Sequence, residues 1–116
     1  MNKDEVKKAV ETVSQAFSNR EYAQALLLLK PLADAGIAEA IGMLGLAYQK
    51  GTGVKIDSEK ALELLQKAVE MGDAVAAYNL GLLYQQGMPG VEKNEAVSRS
   101  YFELALKMGV NTLNFD

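Results

Sequence analysis

The side chains available for chemistry in this sequence are carboxylates, lysines, tyrosines and serines, because it contains no histidine and no cysteine. The chain therefore lacks the commonest general base and metal ligand, and neither a Ser–His nor a Cys–His nucleophile can form. Most carboxylates near the centre of the chain, Asp57, Glu59 and Glu63 among them, fall on helix faces predicted to be exposed. We therefore predict no catalytic residue, no metal site and no cofactor.

A short glycine-rich stretch, Gly-Thr-Gly-Val-Lys at residues 51–55, is similar to part of a phosphate-binding loop. A P-loop needs Gly-x-x-x-x-Gly-Lys-Ser/Thr after a strand, and a dinucleotide-binding loop needs Gly-x-Gly-x-x-Gly between a strand and a helix. Neither spacing is present, and no strand is predicted before these residues. We interpret the stretch as a tight turn between two helices, where glycine adopts backbone angles that other residues avoid.

The charge and hydropathy of the chain bear on the class of partner. A formal charge of −3 over 116 residues, with no run of Lys and Arg, argues against nucleic acid, because phosphate binding needs a basic face. No stretch reaches the roughly 20 apolar residues of a membrane span. The first residues, Met-Asn-Lys-Asp-Glu-Val-Lys-Lys, contain no apolar signal-peptide region. We expect a cytoplasmic protein, or a periplasmic or secreted one if a leader has been removed.

A repeat organises the elements that carry these side chains. Ala40, Leu44, Gly45, Tyr48 and Gly51 each recur 36 residues later, and beyond Met88-Pro89 the interval becomes 37. A fixed period of this size indicates a stacked array of supersecondary units. The predicted single domain, 1–116, comprises a degenerate helix pair at 1–36, repeats at 37–72 and 73–109, and a tail at 110–116.

Apolar residues spaced three and four apart predict an all-α fold of six helices. The predicted helices cover residues 3–18, 21–35, 37–50, 58–71, 73–86 and 95–108. Asp57 and Asn94 are predicted N-caps, because their side chains can accept backbone N–H groups of the following turn. The apolar side chains of the tail, Val110, Leu113 and Phe115, are predicted to fold back over the last helix.

Two glycines lie in the middle of predicted helices at equivalent positions, Gly45 and Gly81. A mid-helix glycine costs roughly 1 kcal/mol relative to alanine in helix propensity. Its occurrence twice at one position of the repeat indicates that another helix approaches closely there. We predict that Leu44, Leu80, Tyr48 and Tyr84 lie on the same buried side.

The repeated residues resemble the Sel-one-like repeat, a longer-looped relative of the tetratricopeptide repeat. The pattern is Leu-Gly-x-x-Tyr after small residues, then Gly-x-Gly-Val, an Asp, Lys-Ala, and later an Ala and a Gly. The two copies are carried by Ala40, Leu44, Gly45, Tyr48, Gly51, Gly53, Val54, Asp57, Lys60, Ala61, Ala68 and Gly72, and by Ala76, Leu80, Gly81, Tyr84, Gly87, Gly90, Val91, Asn94, Ala105 and Gly109. Ser98 departs from the pattern, standing where the first copy has Ala61. The resemblance covers residues 37–109 and implies three antiparallel helix pairs stacked as a right-handed α-solenoid.

In repeats of this kind the first helix of each pair lines the concave side, so we predict a partner-binding row there. The row comprises Glu11, Ser14, Met43, Leu46, Gln49, Tyr78, Asn79, Leu82 and Gln85. Methionine, leucine and tyrosine among amides are typical of a groove that binds a peptide or a partner helix. Tyr78 is the predicted anchor, and packing of the leucines and Met43 between neighbouring units is the alternative interpretation.

The resemblance implies a binding scaffold, because members of the family are mostly adaptors. We predict a non-catalytic protein–protein interaction module, acting as an adaptor, a regulator or a partner-neutralising protein on another protein or peptide. Two alternatives stay open. One is a hydrolase acting on cell-wall-like or peptide substrates through carboxylate, Lys, Tyr or Ser side chains. The other is a self-associating structural piece that uses the last helix and the tail.

Overall fold

The computed structural model of the protein describes residues 1–109, and the tail at 110–116, with its predicted packing, lies outside the described residues. Within residues 1–109 there are six helices and no strand. The helices are α1 (Lys3–Ser18), α2 (Tyr22–Asp34), α3 (Ala38–Lys50), α4 (Ser58–Glu70), α5 (Ala74–Gln86) and α6 (Glu95–Met108). Each boundary lies within one residue of its predicted position, and the predicted all-α class is confirmed.

The predicted helix caps are formed by the side chains that the sequence indicated. Asp57 Oδ1 accepts a hydrogen bond from the Lys60 backbone N–H at 3.0 Å, and Asn94 Oδ1 accepts one from Val97 at 3.1 Å. These bonds satisfy backbone donors that have no partner within the first turn of α4 and α6. At the other end of α3, Gly51 has a φ of 71°, a left-handed conformation that favours glycine.

The helices pack as three consecutive pairs, α1 with α2, α3 with α4, and α5 with α6. Successive pairs are joined through α2 against α3 and α4 against α5, and α3 also contacts α5. Each pair is thus an antiparallel hairpin that rests on the next one, and the predicted α-solenoid is confirmed. Because each unit packs against the next, the buried core extends along the stack in three connected clusters.

The two mid-helix glycines lie where the second helix of each pair crosses the first. A Cβ placed on Gly45 would lie 3.0 Å from Leu65 Cγ and 3.1 Å from the Leu65 backbone nitrogen. A Cβ on Gly81 would lie 2.5 Å from two ring carbons of Phe102. Both glycines are buried, so the predicted close approach of another helix is confirmed in both repeats.

The predicted buried side of the first helices is only partly buried. Leu80 is fully buried, whereas Leu44, Tyr48 and Tyr84 are half-buried. The two tyrosines have different neighbours: the Tyr84 ring stacks on Tyr101 with centroids 5.9 Å apart, and the Lys60 ammonium lies 5.1 Å from the Tyr48 ring centroid. Both tyrosines therefore cover the core from outside, between the apolar interior and water, as the amphipathic ring allows.

Candidate functional site

A groove with a cavity volume of about 970 Å³ runs along α3 and is flanked by the first helices of the neighbouring units, α1 and α5. On α3 its lining includes Glu39, Met43, Leu46 and Lys50, which are spaced three or four residues apart and so share one face of the helix. From Glu39 to Lys50 the helix axis rises by about 16 Å. The remaining lining residues come from α1, the start of α2, Thr52 after α3, the start and middle of α5, and the chain around the ends of α4 and α6.

The structure brings four members of the predicted partner-binding row into this groove. Ser14, Met43, Leu46 and Asn79 all line it. The other five members, Glu11, Gln49, Tyr78, Leu82 and Gln85, are outside the lining. That the four contact a partner stays a prediction.

Tyr78, the predicted anchor, packs against α6. Its ring centroid lies 5.4 Å from that of Phe102, and its side chain contacts the cluster around Ala77 and Ala105. The equivalent position in the preceding repeat is Gly42, where an added Cβ would lie 3.5 Å from the Ala76 Cβ. At Gly42 the next unit packs closely and leaves no room for a side chain. Among the described residues no helix comes after α6, so residue 78 has room for a large ring.

The other residues outside the groove differ in exposure. Glu11 and Gln85 are exposed, and Leu82 is half-buried. Gln49 is also half-buried, with its Oε1 atom enclosed, and within residues 1–109 no group donates a hydrogen bond to that atom. Residues 36 apart in the two repeats share a backbone position but not the same neighbouring elements, so the members of the predicted row have different surroundings.

Several residues that line the groove were not included in the predicted row. Phe17 and Tyr22 contribute aromatic rings with centroids 6.2 Å apart, and Gly42 and Asp73 lie between α3 and α5. Part of this lining was detectable from the sequence, because Ser14 and Phe17 are three residues apart on α1 and must share a face. The contribution of Asp73 was not, since it depends on how closely α5 approaches α3.

Asp73 places a carboxylate at the acidic end of the groove. Its Oδ1 caps α5 by accepting a hydrogen bond from the Val75 N–H at 3.2 Å, and its Oδ2 lies 2.5 Å from where a Gly42 Cβ would be. Burial raises the pKa of Asp73 above its ordinary value of 3.8, the bond from Val75 opposes this shift, and the negative charge of Glu39 adds to it. Glu39 and Asp73 therefore form an acidic end on the N-terminal side of α3, and Lys50 stands at the opposite end.

The middle of the groove is apolar and its ends are charged, an arrangement suited to holding a segment of chain. Met43 and Leu46 occupy the middle of α3, with Phe17 of α1 and Val75 of α5 on the two sides. Within residues 1–109, no group of three or more carboxylates is arranged to hold a metal ion. The same part of the chain contains no helix with the length and apolarity that crossing a membrane requires.

The comparisons with known proteins agree with this architecture. Two segments, residues 38–73 and 74–110, match the Sel1 repeat family. A Sel1 repeat protein from Oxalobacter formigenes is 31% identical in sequence, with a TM-score of 0.69. The match covers 83% of this chain and 39% of that one. The protective antigen c5321 of uropathogenic Escherichia coli strains displays an SLR fold and is 30% identical in sequence, with a TM-score of 0.65. The match covers 77% of this chain and 19% of that one. No curated protein matches the sequence.

A third structure is similar over nearly its whole length. Helicobacter pylori cysteine rich protein B is 25% identical with a TM-score of 0.64, over 96% of this chain and 93% of that one. The present chain, by contrast, has no cysteine. The present chain spans well under half the length of the Oxalobacter formigenes and Escherichia coli proteins. Since two matched repeats together cover more than half of its residues, the chain belongs to the Sel1 repeat family, whose members are generally protein–protein interaction modules.

Proposed function

We propose that the protein is a non-catalytic interaction module that binds a segment of a partner protein in the groove between α1, α3 and α5. The observation that carries this proposal is the groove itself, which has an apolar middle between charged ends. Its volume of about 970 Å³ lies at the upper end of the roughly 300–1,000 Å³ typical of binding pockets. Exposed apolar side chains at its edge, such as Val75 and Met71, are 52% and 44% accessible and would be covered by a partner.

The side chains that line the groove favour binding over catalysis. Catalysis there would have to use Glu39, Asp73, Lys50, Tyr22 or a serine, because the sequence has no histidine or cysteine to act as base or nucleophile. Asp73 already has a structural role as the N-cap of α5, which accounts for one of its carboxylate oxygens. Glu39 and Lys50 are exposed and lie about 16 Å apart along the helix axis, too far to act on one bond.

The test is capture of the partner from the source cell by the wild-type protein and by two matched variants. Met43→Lys places a charge in the apolar middle of the groove, whereas Gln85→Lys places the same charge on an exposed residue of α5 outside it. We expect the partner to be retained by wild type and by Gln85→Lys, and to be lost by Met43→Lys.

Thermal unfolding followed by circular dichroism establishes that both variants are folded before capture is compared. Equal retention by wild type and a folded Met43→Lys variant would contradict the proposal, as would reproducible failure of the wild-type protein to retain any protein. Loss of the partner by both variants would also contradict it, because the added charge would then disrupt binding wherever it is placed.

A further inference from the structure

Resting on the proposed function, we infer that the groove binds an extended segment of the partner in which a cationic, an apolar and an acidic side chain alternate with spacer residues. The cation faces Glu39 and Asp73, the apolar side chain lies over Met43 and Leu46, and the acid faces Lys50. The inference concerns the chemistry and conformation of the bound segment, which the presence of a groove does not by itself determine.

The charges at the two ends of the groove determine the order of the side chains. Glu39 and Asp73 lie close enough that the Glu39 charge contributes to the raised pKa of Asp73, so their negative charges are unfavourably placed in the absence of a cation. A Lys or Arg of the partner would relieve that repulsion. Lys50, in the last turn of α3, is the only basic side chain among the described residues that line the groove, and it would attract a carboxylate.

The distance between the charged ends of the groove suits an extended segment, because Glu39 and Lys50 lie about 16 Å apart along the axis of α3. In an extended segment, residues i, i+2 and i+4 point to the same side and span about 13 Å. The side chains of Glu39 and Lys50 are long enough to cover the remaining distance to residues i and i+4.

Polar side chains on the two sides of the groove also suit an extended segment. An extended chain has backbone N–H and C=O groups without partners, whereas a helix satisfies its own. Ser14 on α1 and Asn79 on α5 both line the groove, and within residues 1–109 neither side chain makes a hydrogen bond. The Asn79 amide offers both a donor and an acceptor, as an exposed peptide unit requires.

The test uses four synthetic peptides, each blocked at both ends and seven residues long. The first is Ser-Lys-Ser-Leu-Ser-Glu-Ser, and the others replace its two charged residues with two Lys, two Glu or two Ser. A peptide in reversed charge order is a poor control, because it can bind in the opposite direction. Binding is measured by titrating isotope-labelled protein and following the NMR signals of Met43, Leu46 and Asn79.

We expect wild type to bind the mixed-charge peptide at least fivefold more tightly than any of the other three. In the Lys50→Glu variant both ends of the groove are acidic, so the two-Lys peptide should become the tightest ligand. Lys67→Glu is the matched control, since Lys67 lies in the last turn of α4, is exposed and is outside the groove. It makes the same change in net charge and should leave the preference for the mixed peptide unchanged.

Equal binding of all four peptides would overturn the inference, as would a change of preference in both variants, which would indicate an effect of net charge alone. Tighter binding of a helical peptide that carries the same three groups over eleven residues would also overturn it. These outcomes are distinct from failure of the proposed function. If Met43→Lys abolishes capture of the partner while the peptides show no charge preference, the function stands and this inference fails.

Discussion

The two repeats place different side chains at one equivalent position of their first helices, Gly42 in α3 and Tyr78 in α5. At Gly42 the helices α3 and α5 come close, and the Asp73 carboxylate lies over the missing side chain. At Tyr78 the ring covers Phe102 and the cluster around Ala105. The same backbone position thus lines a groove in one repeat and covers the core in the other.

This difference shows that the repeat period specifies the helix pairs more closely than it specifies their surfaces. A residue inside the stack has a neighbouring unit on each side, and the space left between units becomes the groove. A residue of the last described unit has a neighbour on one side only, so a bulky side chain can occupy the equivalent space. The following predictions test this contrast, beginning with the largest expected effect.

Overpacking at the mid-helix glycines should destabilise both repeats, and the first more than the second. Gly45→Leu should cost roughly 3 kcal/mol or more, because the Leu65 backbone and the Leu64 Cβ cannot rotate away. Gly81→Leu should cost roughly 1–3 kcal/mol, since the half-buried Phe102 ring can turn toward solvent. Urea denaturation measures both effects as a shift of the midpoint. A rise in stability for either variant would mean that helix propensity outweighs the contact.

Truncating Tyr78 should affect stability rather than binding. Tyr78→Ala removes a half-buried ring and its contact with Phe102, and should cost about 2 kcal/mol of unfolding free energy. A double-mutant cycle with Phe102→Ala should give a coupling of about 0.5–1.5 kcal/mol. Partner affinity of the folded Tyr78→Ala variant should remain within twofold of wild type. A tenfold loss of affinity without loss of stability would restore Tyr78 as the anchor.

The buried serine of the second repeat should contribute a hydrogen bond that the first repeat lacks. Ser98 Oγ donates to the Gly81 carbonyl oxygen at 2.7 Å in a buried position, and the equivalent residue is Ala61. Ser98→Ala should cost about 1 kcal/mol in a chemical denaturation experiment. Ala61→Ser should be nearly neutral, because the Gly45 carbonyl occupies the equivalent place. If Ser98→Ala leaves stability unchanged, this bond does not explain the departure from the repeat pattern.

The smallest expected effect concerns the charge at the acidic end of the groove. Because the pKa of Asp73 is raised in the folded protein, the folded state holds that proton more tightly than the unfolded chain. Wild type therefore loses this stability contribution as pH rises through the raised pKa. Asp73→Asn keeps an N-cap of similar quality and removes the charge, so it should be more stable than wild type at pH 7. The advantage should shrink when denaturation is repeated near pH 4, and an advantage that is constant with pH would contradict this account.

Much of the fold could be predicted from the sequence, because its signals are local. Hydrophobic spacing, Asp57 and Asn94 as caps, and the two mid-helix glycines each depend on a few neighbouring residues or on a comparison of the two copies. The groove could be predicted only in part. Met43 and Leu46 lie on the face of α3 that lines it, but Leu82, at the position equivalent to Leu46, lies outside it, and the burial of Asp73 depends on the approach of α5 to α3.

The most direct test of the central claim compares Leu46 and Leu82, which are the same residue at equivalent positions of the two repeats. Both are half-buried, but only Leu46 lines the groove. With the captured partner, calorimetric titration should show that Leu46→Ala weakens binding by about tenfold, or roughly 1.4 kcal/mol, if Leu46 is a central contact. Leu82→Ala, checked for folding, should bind within twofold of wild type. Equal losses in the two variants, or a loss in Leu82→Ala alone, would contradict the claim that the groove along α3 is the binding surface.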